Sequence, residues 1–242
     1  MDKSTQLLKS GLQQLGIPFT DPLLQSFEEY MKTVLFWNQK VNLTAITDPE
    51  EFVVKHFLDS LAICGDPAIE KADHILDMGT GGGFPGIPLA LIYPDKRFLL
   101  VDSLKKRIAF LQEVTEHLGL SNVTAIQGRA EDLAKNPAYR EKFDLCVSRA
   151  VAKLSVLSEY CLPFVKVGGV FAAYKTAGED LSLGEQAVEI MGGQIERTAS
   201  FPSFSDDLTE FQLDHKIVFI QKSKQTPKKY PRKAGMPTKL PL

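Results

Sequence analysis

The chain is short of cysteine and histidine. Its three cysteines, Cys64, Cys146 and Cys161, are scattered, odd in number and form no C-x-x-C pair. That pattern excludes a disulfide framework and a zinc site, and reads as small buried hydrophobes in a reducing compartment. The four histidines, His56, His74, His117 and His215, are dispersed, so no metal centre is expected. Long apolar runs are missing too. The longest, Gly86 to Ile92, falls far short of the ~20 residues that cross a bilayer. The opening Met-Asp-Lys-Ser-Thr-Gln is polar and lacks an apolar signal core. Together these absences predict a cytoplasmic protein without membrane contact. Internal repeats are absent, and only the Lys/Pro-rich end is compositionally biased.

A chain of 242 residues with 44% hydrophobic and 24% charged residues is neither disordered nor fibrous. It suits one α/β domain with an appendage. The formal net charge of −2 hides an asymmetry. From Lys222 onward there are seven basic residues and no acidic one, so the body of the chain is acidic and its tail basic. Such a tail suggests a local anionic partner.

The first third reads as helices. Ser4 is a candidate cap for a helix carrying Leu7, Leu8, Leu12 and Leu15. Asp21-Pro22 opens a second, with Leu24, Phe27, Tyr30, Met31 and Val34 at helical spacing. Asp48-Pro49-Glu50-Glu51 forms a capping box for a third through His56 and Leu61. From about residue 73 short β-rich runs alternate with helical stretches. Strands are expected at 74–78, 97–102, 123–127, 143–148 and 169–174, and helices at 105–118, 150–164 and 179–191. This alternation implies a parallel sheet with right-handed crossovers. Runs at 194–201 and 215–221 follow without an intervening helix, which suggests an antiparallel pair at the sheet edge. Three regions result: helices over 1–66, an α/β domain over 67–222 and a basic tail over 223–242.

The sharpest local feature is Ile75-Leu-Asp77-Met-Gly79-Thr-Gly81-Gly82-Gly83-Phe84-Pro85-Gly86. A buried strand ends in an acid, runs into a glycine-rich turn and leads to a helix. Such a loop lies in the crevice where open α/β sheets bind ligands. It formally contains G-x-G-x-x-G, from Gly81 to Gly86, but two features disfavour a dinucleotide. Asp77 would repel a pyrophosphate and suits a cationic amino-acid group. Pro85 and Pro88 crowd the helix start, where a pyrophosphate wants free N–H donors. A methyl-donor nucleoside fits better.

The second strand ends in Asp102, 25 residues beyond Asp77. A carboxylate there suits a ribose diol, whichever nucleoside carries it. The third strand ends near Ala130 and Glu131, facing an adenine amine or capping a helix. The fourth ends in Ser148-Arg149-Ala150, where an arginine is costly to bury unless paired.

These residues resemble the glucose-inhibited division protein B family, RsmG, the small-subunit rRNA guanine-N7 methyltransferases. The matching stretches are Asn42-Leu-Thr44, His56-Phe-Leu-Asp-Ser-Leu61, Asp77 to Ala90, Val101 to Arg107, Gly128 to Asp132, Ser148-Arg-Ala150 and Tyr230-Pro-Arg-Lys-Ala-Gly235. They follow in order along nearly the whole chain. The glycine loop alone would indicate only the class I S-adenosylmethionine-dependent methyltransferase superfamily. The resemblance implies a Rossmann-like, mostly parallel seven-stranded sheet with an antiparallel edge strand and an N-terminal helical extension. It implies S-adenosyl-L-methionine as donor and a guanine in the 530 loop of 16S rRNA as acceptor. It places Gly79, Phe84, Asp102, Ser103, Leu104, Ala130, Glu131 and Arg149 at the donor, beside Asp77 and Gly81 from the loop chemistry.

Guanine N7 carries a free lone pair, so no general base is required, and none is conspicuous. His56 and Asp59 are the catalytic candidates. Asp59 or Glu131 would sit near the positive charge that moves to the guanine. Lys175, Lys228, Lys229, Arg232 and Lys233 are candidates for RNA phosphate contacts, with Lys105, Lys106 and Arg107 on the same rim. The partner is then 16S rRNA or the small ribosomal subunit, and the chain is expected to act as a monomer. The alternatives are a methyltransferase of another RNA, an NAD-dependent oxidoreductase, for which no proton-donating set is evident, and a non-enzymatic RNA-binding factor.

Overall fold

The computed structural model describes residues 2–211 and 213–242. A seven-stranded sheet forms from β1 (His74–Met78), β2 (Arg97–Asp102), β3 (Val123–Gln127), β4 (Phe143–Arg149), β5 (Val165–Thr176), β6 (Gly193–Ser200) and β7 (His215–Lys222). The strand order is β3-β2-β1-β4-β5-β7-β6. Strands β1 to β5 pair in parallel, and β7 runs against both its neighbours. The antiparallel pair therefore lies at the sheet edge, but its reversed member is the inner strand and β6 is outermost. Chain order reverses between β1 and β4, and that switch point opens a crevice at the carboxyl ends of the strands.

The strand patterns follow burial. Four of the five β1 residues are buried, as a strand covered on both faces requires. Strand β6 alternates along most of its length, as befits an edge. Strand β5 starts earlier than the sequence suggests. It passes through Gly168 and Gly169, and a side chain at Gly169 would lie 2.6 Å from the Asp144 carbonyl oxygen.

The helices are α1 (Lys3–Gln14), α2 (Asp21–Asn38), α3 (Pro49–Phe52), α4 (Asp59–Leu61), α5 (Pro67–Glu70), α6 (Gly86–Ile92), α7 (Lys105–His117), α8 (Ala130–Leu133), α9 (Leu154–Cys161), α10 (Ser182–Ile190) and α11 (Met236–Lys239). Two caps differ from expectation. Asp2, not Ser4, caps α1 by accepting from the Thr5 N–H at 3.1 Å. Thr20 caps α2, with Asp21 and Pro22 inside its first turn. Asp48 accepts from the Glu51 N–H at 2.9 Å, while the Glu51 carboxylate pairs with Lys55, so only half of the capping box closes. Between α3 and α4 the chain takes a π-helical turn, Val53–Leu58, a device common at functional sites.

Helices α1 and α2 share one core with the sheet. Leu12, Phe27, Tyr30, Phe57 and Leu58 pack with Ile75, Leu100, Phe110 and Phe219. The boundary near residue 66 thus marks a change of pattern within a continuous core. The opposite sheet face packs Leu76, Cys146, Leu157, Cys161, Phe171 and Ile220, and Tyr230 of the basic tail joins it. The tail is therefore not a solvated extension. Lys222 is buried and donates to the Leu162 and Met191 carbonyls at 2.7 and 2.9 Å.

Candidate active site

The glycine loop is folded around Asp77. One of its carboxylate oxygens accepts from Thr80 Oγ1 at 2.7 Å and from the Gly86 N–H at 2.8 Å. The N–H groups of Gly79 and Thr80 both donate to the Val101 carbonyl, tying the loop to β2. Close approach explains two of the glycines. A Cβ at Gly86 would lie 2.3 Å from Leu100 Cδ2. At Gly83, with φ of 96°, it would lie 2.5 Å from the Tyr30 hydroxyl oxygen, which itself donates to the Gly82 carbonyl at 2.6 Å. We expect Gly83→Ala to destabilise the fold by ~2–4 kcal/mol through strain and overpacking, read as a shifted urea midpoint; an unchanged midpoint would show that Tyr30 yields freely.

Burial, the largest effect on Asp77, pushes its carboxyl up to about 6. Its second oxygen has no partner among the described residues. The residue is fully buried and does not line the cleft. The structure places it behind the loop, where the oxygen bonded to Thr80 and Gly86 fixes the turn.

The cleft at the switch point has a volume of about 460 Å³, within the ~300–1,000 Å³ typical of ligand sites. Gly79, Asp102, Ser103, Leu104, Ala130 and Glu131 line it. Gly81, Phe84 and Arg149 do not; they stand behind or beside it. Asp102 accepts from the Gly81 and Leu104 N–H groups at 3.1 and 2.9 Å and from Arg107 at 3.2 Å. Those bonds use three of its roughly four acceptor positions and leave capacity for a ligand hydroxyl. Arg107 Nε, on the same wall, is buried without a partner. Leu104 and Val151 expose apolar surface there, at 53% and 39%. A carboxylate at the β2 end, an unpaired donor and an apolar platform together suit a nucleoside.

Sequence reasoning missed two walls of this cleft. Gly235, from the tail, lines it and donates its N–H to Glu131 at 2.8 Å. Tyr160 of α9 lines it as well and meets Thr238 at 2.9 Å. The tail is anchored by Arg232, whose guanidinium takes both oxygens of Glu159. Glu159 is fully buried. Arg232 is thus an internal ion-pair partner that fastens the tail, which its position in a basic run does not announce. Lys175 is buried, pairs with Glu179 at 3.0 Å and donates to the Ala152 carbonyl, and it lines a second cleft. Lys228, Lys229 and Lys233 are exposed.

A second cleft of about 520 Å³ adjoins the first, and Ala150 lines both. Ala150 holds φ of 57°, a backbone state rare outside glycine and typical of sites. Arg149 is the hub. It donates to Asp59, to the Lys55 carbonyl at 2.8 Å and to His56 Nδ1 at 3.0 Å. Because a guanidinium only donates, His56 Nδ1 is an acceptor. Its Nε2–H then donates to Thr44 Oγ1 at 2.6 Å. Burial first, and Arg149 second, pull the His56 pKa down to about 3. His56 therefore stays neutral at physiological pH, with both ring nitrogens engaged; it stacks on Phe84 at 4.4 Å. Asp59 is fully buried; its other oxygen meets His215 Nδ1 at 2.8 Å. No sequence motif had flagged His215.

Among the described residues, no group of three or more His, Cys, Asp or Glu is placed to hold a metal. None of the described helices is long and apolar enough to cross a membrane.

The family model GidB, rRNA small subunit methyltransferase G, matches residues 23–207. Ribosomal RNA small subunit methyltransferase G of Clostridium novyi is 46% identical over 238 residues, covering 98% of this chain and 96% of that protein. The protein of the same name from Lachnoclostridium phytofermentans is 47% identical, covering 100% and 98%. Among solved structures, M. jannaschii TYW2 in complex with AdoMet aligns with a TM-score of 0.50 at 14% identity, covering 74% of this chain and 78% of that one. A branched-chain polyamine synthase mutein from Thermus thermophilus aligns at 0.53 and 12%, covering 81% and 64%. At such identities the structures establish the shared fold alone. The full-length relatives and the family match establish more: the chain belongs to the GidB family, the rRNA small subunit methyltransferases G.

Proposed function

We propose that this protein transfers a methyl group from S-adenosyl-L-methionine to N7 of a guanine in 16S ribosomal RNA, in the 530 loop. The observation that carries the reading is the cleft at the β1/β4 switch point. Its lining includes the Asp102 carboxylate at the β2 end, Leu104 just beyond it and Glu131 after the neighbouring strand β3. When bound there, S-adenosylmethionine supplies an electrophilic methyl on a sulfonium. N7 takes the methyl with its lone pair, the sulfur keeps the electrons of the broken bond as a thioether, and the positive charge passes to the guanine.

The chain's own residues orient and shield. Asp102 suits the ribose hydroxyls, and Leu104 and Val151 suit the faces of the base. Ser103 and Ala130 complete the pocket, while Asp77, Gly81 and Phe84 hold its rear. Of the two carboxylates proposed to offset the transferred charge, Asp59 is already engaged by Arg149 and His215. Glu131 is the one that lines the donor cleft. No general base is needed, so the rate gain rests on holding N7, methyl carbon and sulfur in line, which contributes ~7–11 kcal/mol in favourable cases.

The test is methyl incorporation from labelled donor into small-subunit rRNA lacking the modification, mapped by chemical cleavage at N7-methylguanosine. One labelled guanine is the expected result; label elsewhere, or none, overturns the reading. We place the reaction in the cytoplasm and the active form as a monomer.

Phosphate contacts in this reading come from the exposed Lys228, Lys229 and Lys233. Their joint replacement by glutamine is expected to lower the salt slope of RNA binding by about two, at ~0.7 per single-strand contact. Substitution is the informative change, because deleting the tail would also remove a wall of the donor cleft. An unchanged slope in a salt titration would take these lysines out of the RNA footprint.

A further inference from the structure

Donor binding leaves the second cleft unexplained. We propose that it takes the acceptor guanine, and that His215, braced by Asp59, accepts a hydrogen bond from the base's Watson–Crick edge. This rests on the methyl-transfer reading above.

Position comes first. Ala150 lines both clefts, so a base in the second presents one edge to the donor. The opposite wall is His215. Arg149 pairs across the sheet with Tyr174, and Thr176 with His215. The β4 end that leads into Ala150 and the β7 strand that begins at His215 are thus two strand spacings apart in the sheet, about 9–10 Å. That span suits a purine with N7 towards Ala150 and its far edge towards β7. Ile46, Tyr174 and Leu213 supply contact for the base. A base extruded into such a pocket is read on its Watson–Crick edge.

Chemistry comes second. His215 Nδ1 is held by Asp59 at 2.8 Å. Its Nε2 has no hydrogen bond among the described residues, and its side chain is 35% exposed. With Nδ1–H donating to the carboxylate, Nε2 offers a lone pair. Guanine N1–H is its complement; adenine offers a lone pair at that place and is repelled. Asp59 is a positioning residue here, since Arg149 and His215 occupy both its oxygens. The other charges facing this cleft are mostly paired. Arg149 serves Asp59, Lys55 pairs with Glu51, and Lys175 pairs with Glu179. Asp214, exposed beside His215, is the rival acceptor.

The Asp59 hydrogen bond raises the His215 pKa above its ordinary value of 6.5, against burial and the Arg149 charge, with Asp214 adding to the rise. Below that raised value Nε2 carries a proton and the lone pair is gone. Acceptor recognition therefore rises with pH through it and levels off above.

The experiment compares wild type with His215→Ala, His215→Gln and Asp214→Asn. It measures kcat and KM for unmodified small-subunit rRNA across pH, together with S-adenosylhomocysteine affinity. For His215→Ala, kcat/KM for the RNA is expected to fall roughly ten- to a hundredfold, the scale of losing a base-edge contact. Affinity for S-adenosylhomocysteine should hold within about twofold, as expected of a site apart from the donor cleft. His215→Gln, whose amide oxygen also accepts, should recover part of the loss and abolish the acidic limb of the pH profile. Asp214→Asn should keep the wild-type kcat/KM on the plateau, with the acidic limb moved slightly to lower pH because Asp214 helps to raise the His215 pKa. Wild-type kcat/KM in His215→Ala, an acidic limb that survives in His215→Gln, or a matching loss in Asp214→Asn each overturns the proposal. Should His215→Ala not fold, the limb in His215→Gln decides. If the wild type places no methyl on this RNA, the functional reading itself has failed; if it does and the His215 variants match it, only the subsite has.

Discussion

Replacing Arg149 with alanine is expected to cost ~3–5 kcal/mol of folding stability, the range for removing one partner of a buried ion pair. Asp59 is fully buried and would be left with the His215 Nδ1 hydrogen bond as its remaining side-chain partner among the described residues. His56 Nδ1 and the Lys55 carbonyl would lose their donor at the same time. Those groups connect the π-helical turn before α4 to the end of β4, so the wall between the two clefts should loosen as well. Turnover is expected to fall by roughly a hundredfold or more, as displacements near 1 Å at a reacting site do. Lysine should rescue poorly, because a point charge cannot bridge three acceptors. Urea denaturation and single-turnover methylation check both halves. A loss under ~1 kcal/mol, the scale of an exposed pair, would mean that Asp59 finds water or another partner.

The second large effect concerns the tail. Arg232→Ala removes the guanidinium from Glu159, which is fully buried, while the Arg232 backbone N–H still donates to it. With that bond retained, the cost should lie near the lower end of the same range, about 3 kcal/mol. Three residues on, Gly235 holds Glu131 and closes the donor cleft. The variant should therefore bind S-adenosylhomocysteine about tenfold more weakly, the worth of a hydrogen bond to a charged group. Its salt dependence on RNA should not change. Lost stability with unaltered donor affinity would separate the tail from the cleft; a lower salt slope would return Arg232 to the RNA.

The contrast between these two arginines shows what a sequence carries. Strands β1, β2 and β3 were legible to the residue, because each is a short β-rich run, buried in β1 and β2, closed by an acid, a glycine or a turn. The glycine loop was legible because close packing leaves few other residues possible at Gly83 and Gly86. Long-range pairing was not. Nothing local marks Glu159 as the partner of a residue 73 positions later, so a Lys/Pro-rich tail reads as a basic segment for an anionic partner when it is docked on its own chain. The same holds for Asp59 with Arg149, 90 positions apart. Asp77 was found as an acid at a strand end, but its complete burial depends on Thr80 and Gly86 folding back over it. The helix read from residue 150 begins at Leu154 because Ala150 adopts a positive φ, which composition does not announce. His215 escaped notice because it lies at a strand start with no motif around it, and its role appears only once β7 is set beside β5.

The most direct test of the central claim is titration of S-adenosylhomocysteine, and separately of NADH, into the wild-type protein and Asp102→Ala. The expected result is one tight site for S-adenosylhomocysteine, weakened at least tenfold or so by Asp102→Ala through its lost charged hydrogen bonds, and no binding of NADH. A folded protein that ignores S-adenosylhomocysteine, or that takes NADH in its place, would contradict the account.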